Sequence, residues 1–100
     1  MTLTPEGLVL NLCFVIRGHR ERLKFSQEGF SDTADINRNY YGKIERGQQP
    51  GVSMRALQRI AIGLGVPLSQ LVAEAEVFDP AVREPPSPPR VGRPRGSKSR

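Results

Sequence analysis

Ser26-Gln27-Glu28-Gly29-Phe30-Ser31-Asp32-Thr33-Ala34-Asp35-Ile36-Asn37-Arg38-Asn39-Tyr40-Tyr41-Gly42-Lys43-Ile44-Glu45-Arg46-Gly47 is the stretch whose reading decides the fold. Ser26 suits a helix N-cap, because its hydroxyl accepts from a free first-turn N–H, and Gln27 and Glu28 suit the turn that follows. A short helix over about 27 to 33 is expected, anchored by Phe30 and weakened by Gly29. Asp32-Thr33-Ala34-Asp35 reads as a turn, and aspartate at 35 tolerates left-handed backbone better than most residues. Asn37 then caps a second helix over 38–46. Tyr41 and Ile44, three apart, face inward, while Arg38, Asn39, Gly42 and Lys43 fall outward. Gly47 stops the helix.

Working outward, Leu8, Leu12, Val15, Ile16 and Leu23 recur with helical periodicity. Arg17, Arg20, Glu21 and Arg22 take much of the opposite face. Thr4, Pro5 and Glu6 form a start signal, so a helix over about 5 to 23 precedes the central stretch. Downstream, Ser53 caps a fourth helix with the stripe Leu57, Ile60, Ala61 and Leu64, which Gly65 ends. Pro67 opens a fifth, with Leu68, Leu71 and Val72 turned inward. From Asp79 onward proline and charge take over, and Glu84-Pro85-Pro86-Ser87-Pro88-Pro89 reads as an extended linker. No strand pattern and no internal repeat emerge. The expectation is an all-α domain of five short helices over 1–78, with its central two-helix unit at 26–47, followed by a Pro-rich linker and basic tail over 79–100.

Composition narrows the function. With 100 residues, 37% hydrophobic and 25% charged, the chain suits one globular domain with a modest core. The uncharged stretch Gly7 to Ile16 is far shorter than the roughly 20 residues that cross a bilayer, and no cationic segment precedes it. The single cysteine, Cys13, lies in that apolar stretch and reads as a core residue, in keeping with a reducing, cytoplasmic setting. No nucleophile–base pair, carboxylate pair, metal-ligand spacing or Gly-rich phosphate loop is present, so no catalytic residue, metal or cofactor is assigned and an enzyme is not expected. Charge is uneven: residues 1–84 carry ten Lys/Arg and ten Asp/Glu, while residues 85–100 carry five Lys/Arg and no acid. Such a tail seeks a polyanion.

Two short helices joined by a tight turn, the second with a polar leading face, can place one helix in the major groove of double-stranded DNA, which admits a single α-helix. Asn37, Arg38 and Asn39 lead that helix and Lys43 follows one turn on. Arginine can bond guanine bidentately and asparagine can bond adenine. Ser26 and Gln27, at the start of the preceding helix, suit the sugar-phosphate backbone.

Ile16-Arg17, Arg20, Phe25-Ser26-Gln27-Glu28, Tyr40-Tyr41-Gly42-Lys43-Ile44-Glu45-Arg46-Gly47, Leu57-Gln58-Arg59-Ile60-Ala61 and Leu64-Gly65-Val66 together resemble the Cro/XRE helix-turn-helix family. The resemblance extends over about residues 8–75. Around Asn37 to Glu45 it is similar to the controller proteins of restriction-modification systems. It implies a five-helix, lambda-repressor-like domain that binds operators as a homodimer and regulates transcription. It also implies that Arg38, Asn39 and Lys43 face bases, that Gln27, Tyr40 and Arg46 lie near phosphates, and that Arg20 and Glu45 form a buried ion pair. The chain departs from the family pattern at His19, where a core leucine is usual, and at Lys24 and Asp35, where glycine is usual. Ser31 stands for a small alanine and Gly29 for a helix former.

Gly92-Arg93-Pro94-Arg95-Gly96-Ser97-Lys98 is similar to an AT-hook, which lays an extended Gly-Arg-Pro core along a narrow A·T-rich minor groove. Arg93, Pro94, Arg95 and Lys98 would make those contacts. The overall expectation is a transcriptional regulator, a repressor or autoregulator, associated with the bacterial nucleoid. One module buries too little surface for tight specific binding, so a homodimer on half-sites about one helical turn apart is expected, with Leu68, Val72 and Phe78 at its contact. The alternative is an antitoxin, or an adaptor binding a partner protein through the same fold.

Overall fold

The computed structural model describes residues 3–79, which form α1 (Pro5–Arg22), α2 (Gln27–Ala34), α3 (Arg38–Glu45), α4 (Met54–Leu64) and α5 (Leu68–Val77), with no strand among the described residues. Four of the helices open on the side-chain caps expected of them. Thr4 Oγ1 accepts from Gly7 N–H at 3.0 Å, Ser26 Oγ from Gly29 at 2.9 Å, Asn37 Oδ1 from Tyr40 at 3.0 Å and Ser53 Oγ from Ala56 at 3.0 Å. Each such cap is worth about 1 kcal/mol. α5 starts after Pro67 with no side-chain cap bond.

The turn inside the central motif differs from the expectation. Asp32, Thr33 and Ala34 are helical, and the chain reverses at Asp35, whose φ of 60° is left-handed. That single residue allows Asp35 N–H to reach Asp32 O at 3.1 Å and Ile36 N–H to reach Ser31 O at 2.9 Å, so the last carbonyls of α2 stay bonded up to the reversal. Asn37 follows at once as the cap of α3, leaving a connection of three residues, Asp35 to Asn37. α3 itself closes at Glu45, with Arg46 as its C-cap and Gly47 beyond it at φ 72°. A Cβ at Gly47 would lie 2.8 Å from Leu10 Cδ2, so glycine there serves both the backbone twist and the approach of α1.

Every helix contributes to one core. Ile16, Phe30, Tyr41, Ile44, Ile60 and Leu71 are all but fully buried. Phe30 sits at the centre, its ring 5.3 Å from that of Tyr41 and 5.5 Å from that of Phe25. Burial stabilises by roughly 1.5–3 kcal/mol per large apolar side chain. Ser31, in place of a small alanine, is also fully buried, and its hydroxyl is satisfied by donating to Glu28 O at 2.9 Å. α5 is clasped to α1 by Asn11, whose Nδ2 donates to Ala75 O and Phe78 O, both at 3.0 Å.

Four positions depart from the faces expected of them. Leu23 is 49% exposed, because α1 ends at Arg22 and Lys24, at φ 67°, turns the chain away. Gly42 is buried rather than outward, because the Arg46 guanidinium lies across it. On α5 the buried pair is Leu71 and Ala75, four apart, while Leu68 and Val72 are only half-buried. His19 binds Glu74 through Nε2 at 2.8 Å from Oε1 and so ties α1 to α5. Burial of Glu74 works against its charge, but hydrogen bonds from Gln70 and His19 and the charges of His19 and Arg22 hold its carboxyl below the usual range. Among the described residues no single helix is long and apolar enough to cross a membrane.

Candidate nucleic-acid interface

The polar end of the molecule is built on Glu45. It lies on the inward side of α3 among apolar residues, with its side chain 1% exposed, and a carboxylate so buried is tolerated only when its oxygens are satisfied. Donors from three helices meet that demand. Arg20 on α1 donates from Nε to Oε2 at 2.6 Å and from Nη2 to Oε1 at 3.0 Å. Gln27 at the start of α2 donates from Nε2 to Oε1 at 3.0 Å. The hydroxyl of Tyr41, one turn earlier on α3, donates to Oε2. Arg20 also donates from Nη1 to Phe25 O at 2.6 Å, which fixes the link between α1 and α2.

The electrostatics agree with these roles. Burial opposes the charge on Arg20, but hydrogen bonding to Glu45 and its charge override it and lift the guanidinium above its ordinary value. Burial, then the charge of Glu45 and the hydrogen bond to it, push the Tyr41 phenol far up, so it remains a donor. Burial, with the charge of Glu45, likewise raises the Cys13 thiol and keeps it protonated. The expected Arg20–Glu45 ion pair is therefore present, inside a larger network that locks α3 against α1 and α2.

With Tyr41, Ile44 and Glu45 turned inward, the opposite face of α3 carries Arg38, Asn39 and Lys43, all exposed. At 1.5 Å per residue the helix is roughly 12 Å long, short enough to enter a groove by its first turns. The side chains of Asn39 and Lys43 make no hydrogen bond or ion pair among the described residues. Arg38 does. Its Nη2 donates to Asp32 Oδ2 at 3.0 Å and its Nε to Oδ1 at 3.3 Å, and Glu28 Oε1 lies 3.7 Å from Nη1. The hydrogen bonds and charge of Asp32, with the charge of Glu28, raise its pKa further.

Asn37 is exposed, but its Oδ1 caps α3, and bidentate reading of adenine would need that same oxygen. Ser26 accepts its cap bond and retains its O–H as a donor. Gln27 turns its amide toward Glu45. Tyr40 is half-buried, and its hydroxyl accepts from Ser53 N–H at 3.3 Å, which leaves its own proton to give. Arg46 is exposed and donates from Nε to Gln48 Oε1 at 3.0 Å. A shallow groove of about 220 Å³ brings Gln27, Arg38, Asn39 and Arg46 together at the mouth of the motif. Arg93, Pro94, Arg95 and Lys98 lie outside the described residues.

The sequence reading passes over Arg55 and Arg59. A second hollow of about 200 Å³ is lined by Asn37, Tyr40, Ser53, Arg55 and Arg59, next to the start of α4. Arg59 Nη1 donates to Asp35 O at 3.1 Å across the central turn. The signal available for Arg55 was its place in the first turn of a capped helix, where a cation works against the dipole and so serves something other than helix stability.

Residues 16–71 match the family model described as helix-turn-helix. The control protein C.MunI of a Mycoplasma species is 40% identical over 57 residues, which are 57% of this chain and 76% of that protein.

Proposed function

This chain belongs to the helix-turn-helix family and is a sequence-specific DNA-binding regulator of transcription, and we propose that it represses its targets as a homodimer, each copy laying α3 in the major groove. The observation that carries this reading is the two-sided character of α3. Tyr41, Ile44 and Glu45 fix its inner side while Arg38, Asn39 and Lys43 are exposed on the outer one. Arg38, Asn39 and Lys43 are assigned to base edges, and Asn37 to a single contact through its amide. Ser26, Gln27, Tyr40 and Arg46 are assigned to the sugar-phosphate backbone, joined by Arg55 from the start of α4. Two copies would meet at the end of α5, where Val77 is 82% exposed and Phe78 stacks on Phe14 with ring centroids 5.5 Å apart. Residues 79–100, Pro-rich and basic in sequence, are assigned to further phosphate contacts, with Arg93, Pro94, Arg95 and Lys98 suited to an A·T-rich minor groove. A cytoplasmic, nucleoid-associated place follows from that partner.

Selection of bound sequences from a random duplex pool tests the reading, and a palindromic consensus is expected. On that consensus Arg38→Ala should lose about tenfold or more in affinity, since a bidentate base contact is worth roughly 1–3 kcal/mol, with little change on random duplex. Equal loss on both would remove Arg38 from the base contacts. An enriched site without two-fold symmetry would remove the dimer.

A further inference from the structure

Resting on the reading of Arg38 as a base contact, we propose that Asp32 is a positioning residue that aims Arg38 and confines its preference to guanine at one base pair. Asp32 lies on the last turn of α2 and Arg38 is the first residue of α3, so the reversal at Asp35 sets them face to face at the mouth of the motif. The Asp32 carboxylate holds one side of the planar fork, with Oδ1 3.3 Å from Nε and Oδ2 3.0 Å from Nη2. Glu28, 3.7 Å from Nη1, adds charge without a hydrogen bond. The end of the fork, Nη1 and the second Nη2 proton, is then presented as two parallel donors. Guanine offers two matching acceptors, O6 and N7, on its major-groove edge.

Arginine has a long, rotamer-rich stem, and a stem held in its working direction loses less freedom on binding. Among the described residues neither Asn39 nor Lys43 has such a brace. A purely structural role explains little of Asp32. Its side chain is 60% exposed, and an acid in the last turn of a helix opposes the helix dipole. Phosphates would repel both Asp32 and the 75%-exposed Glu28, so the pair also penalises duplexes that do not reward Arg38 with base acceptors.

The test compares the full chain with its Arg38→Ala, Asp32→Ala and Asp32→Glu forms. Each is titrated against the selected site, against every single-base-pair variant of it, and against random duplex, after a circular dichroism melt shows that the exposed substitutions leave the fold intact. Arg38→Ala should flatten the preference at one base pair. Asp32→Ala should reduce the guanine preference at that same pair by about tenfold, within the range such a contact supplies, and leave other positions unchanged. Its affinity for random duplex should be equal or higher, and Asp32→Glu should recover part of the preference. The inference is overturned if Asp32→Ala keeps the full preference that Arg38→Ala abolishes. It is equally overturned if Asp32→Ala tightens the selected site, which would make the carboxylate a competitor of DNA. If Arg38→Ala leaves every preference intact, the base-contact reading fails first and the role of Asp32 falls with it.

Discussion

At the scale of the residue, Glu45 has the largest leverage. Its charge is stabilised by donors rather than by water, so removing one donor strands it in an apolar setting. Breaking a buried ion pair by deleting one partner costs about 3–5 kcal/mol. Arg20→Ala should accordingly lower unfolding stability by that amount in urea titrations, a large part of the total for a domain of this size. A loss under about 1 kcal/mol would mean that Gln27 and Tyr41 satisfy the carboxylate without it. The pairing was legible in the sequence only through family resemblance, because periodicity alone puts Arg20 with Arg17 and Glu21 on the outer face of α1. Gln27 illustrates a different limit. Its position suits a phosphate, but nothing local reveals that its amide also donates to Glu45.

At the scale of the element, the reversals between helices hold local strain. Lys24 and Asp35 both adopt left-handed backbone, with φ of 67° and 60°, a region that favours glycine. A side chain there costs about 1–2 kcal/mol, less for aspartate than for lysine because its short polar group tolerates the region. Lys24→Gly should raise the melting midpoint and Asp35→Gly should raise it less, each gain being reduced by the greater freedom of glycine in the unfolded chain. A loss of stability in either variant would show that its side chain stabilises the reversal. Caps, the stop at Gly47 and the apolar stripe of α4 were readable because they depend on near neighbours in sequence. The turn after α2 is shorter than the composition of Asp32 to Asp35 indicates, for a related reason. A reversal made by one residue leaves Asp32, Thr33 and Ala34 helical, although their composition reads as a turn. The burial of Gly42 depends on a side chain four residues ahead folding back, which no pattern of polar and apolar positions encodes.

At the scale of the whole molecule, the described residues carry exposed apolar side chains on α1 and at the end of α5. Leu10 is 47% exposed, Phe14 38% and Val77 82%. On the proposal that two copies pair at the end of α5, Val77→Asp should shift sedimentation from dimer to monomer and weaken binding to a two-fold site, while a single half-site is bound as before. An unchanged dimer would relocate the contact. The rigidity of the reading unit bears on specificity at the same scale. One carboxylate fastens three helices, so α3 has little latitude to adjust its approach to an imperfect groove. The duplex must then supply the deformation, at an elastic cost of order 1–6 kcal/mol that depends on its local stiffness. Operators should thus be sorted partly by how readily their untouched central steps kink or overtwist, which makes DNA mechanics a silent component of the recognition code.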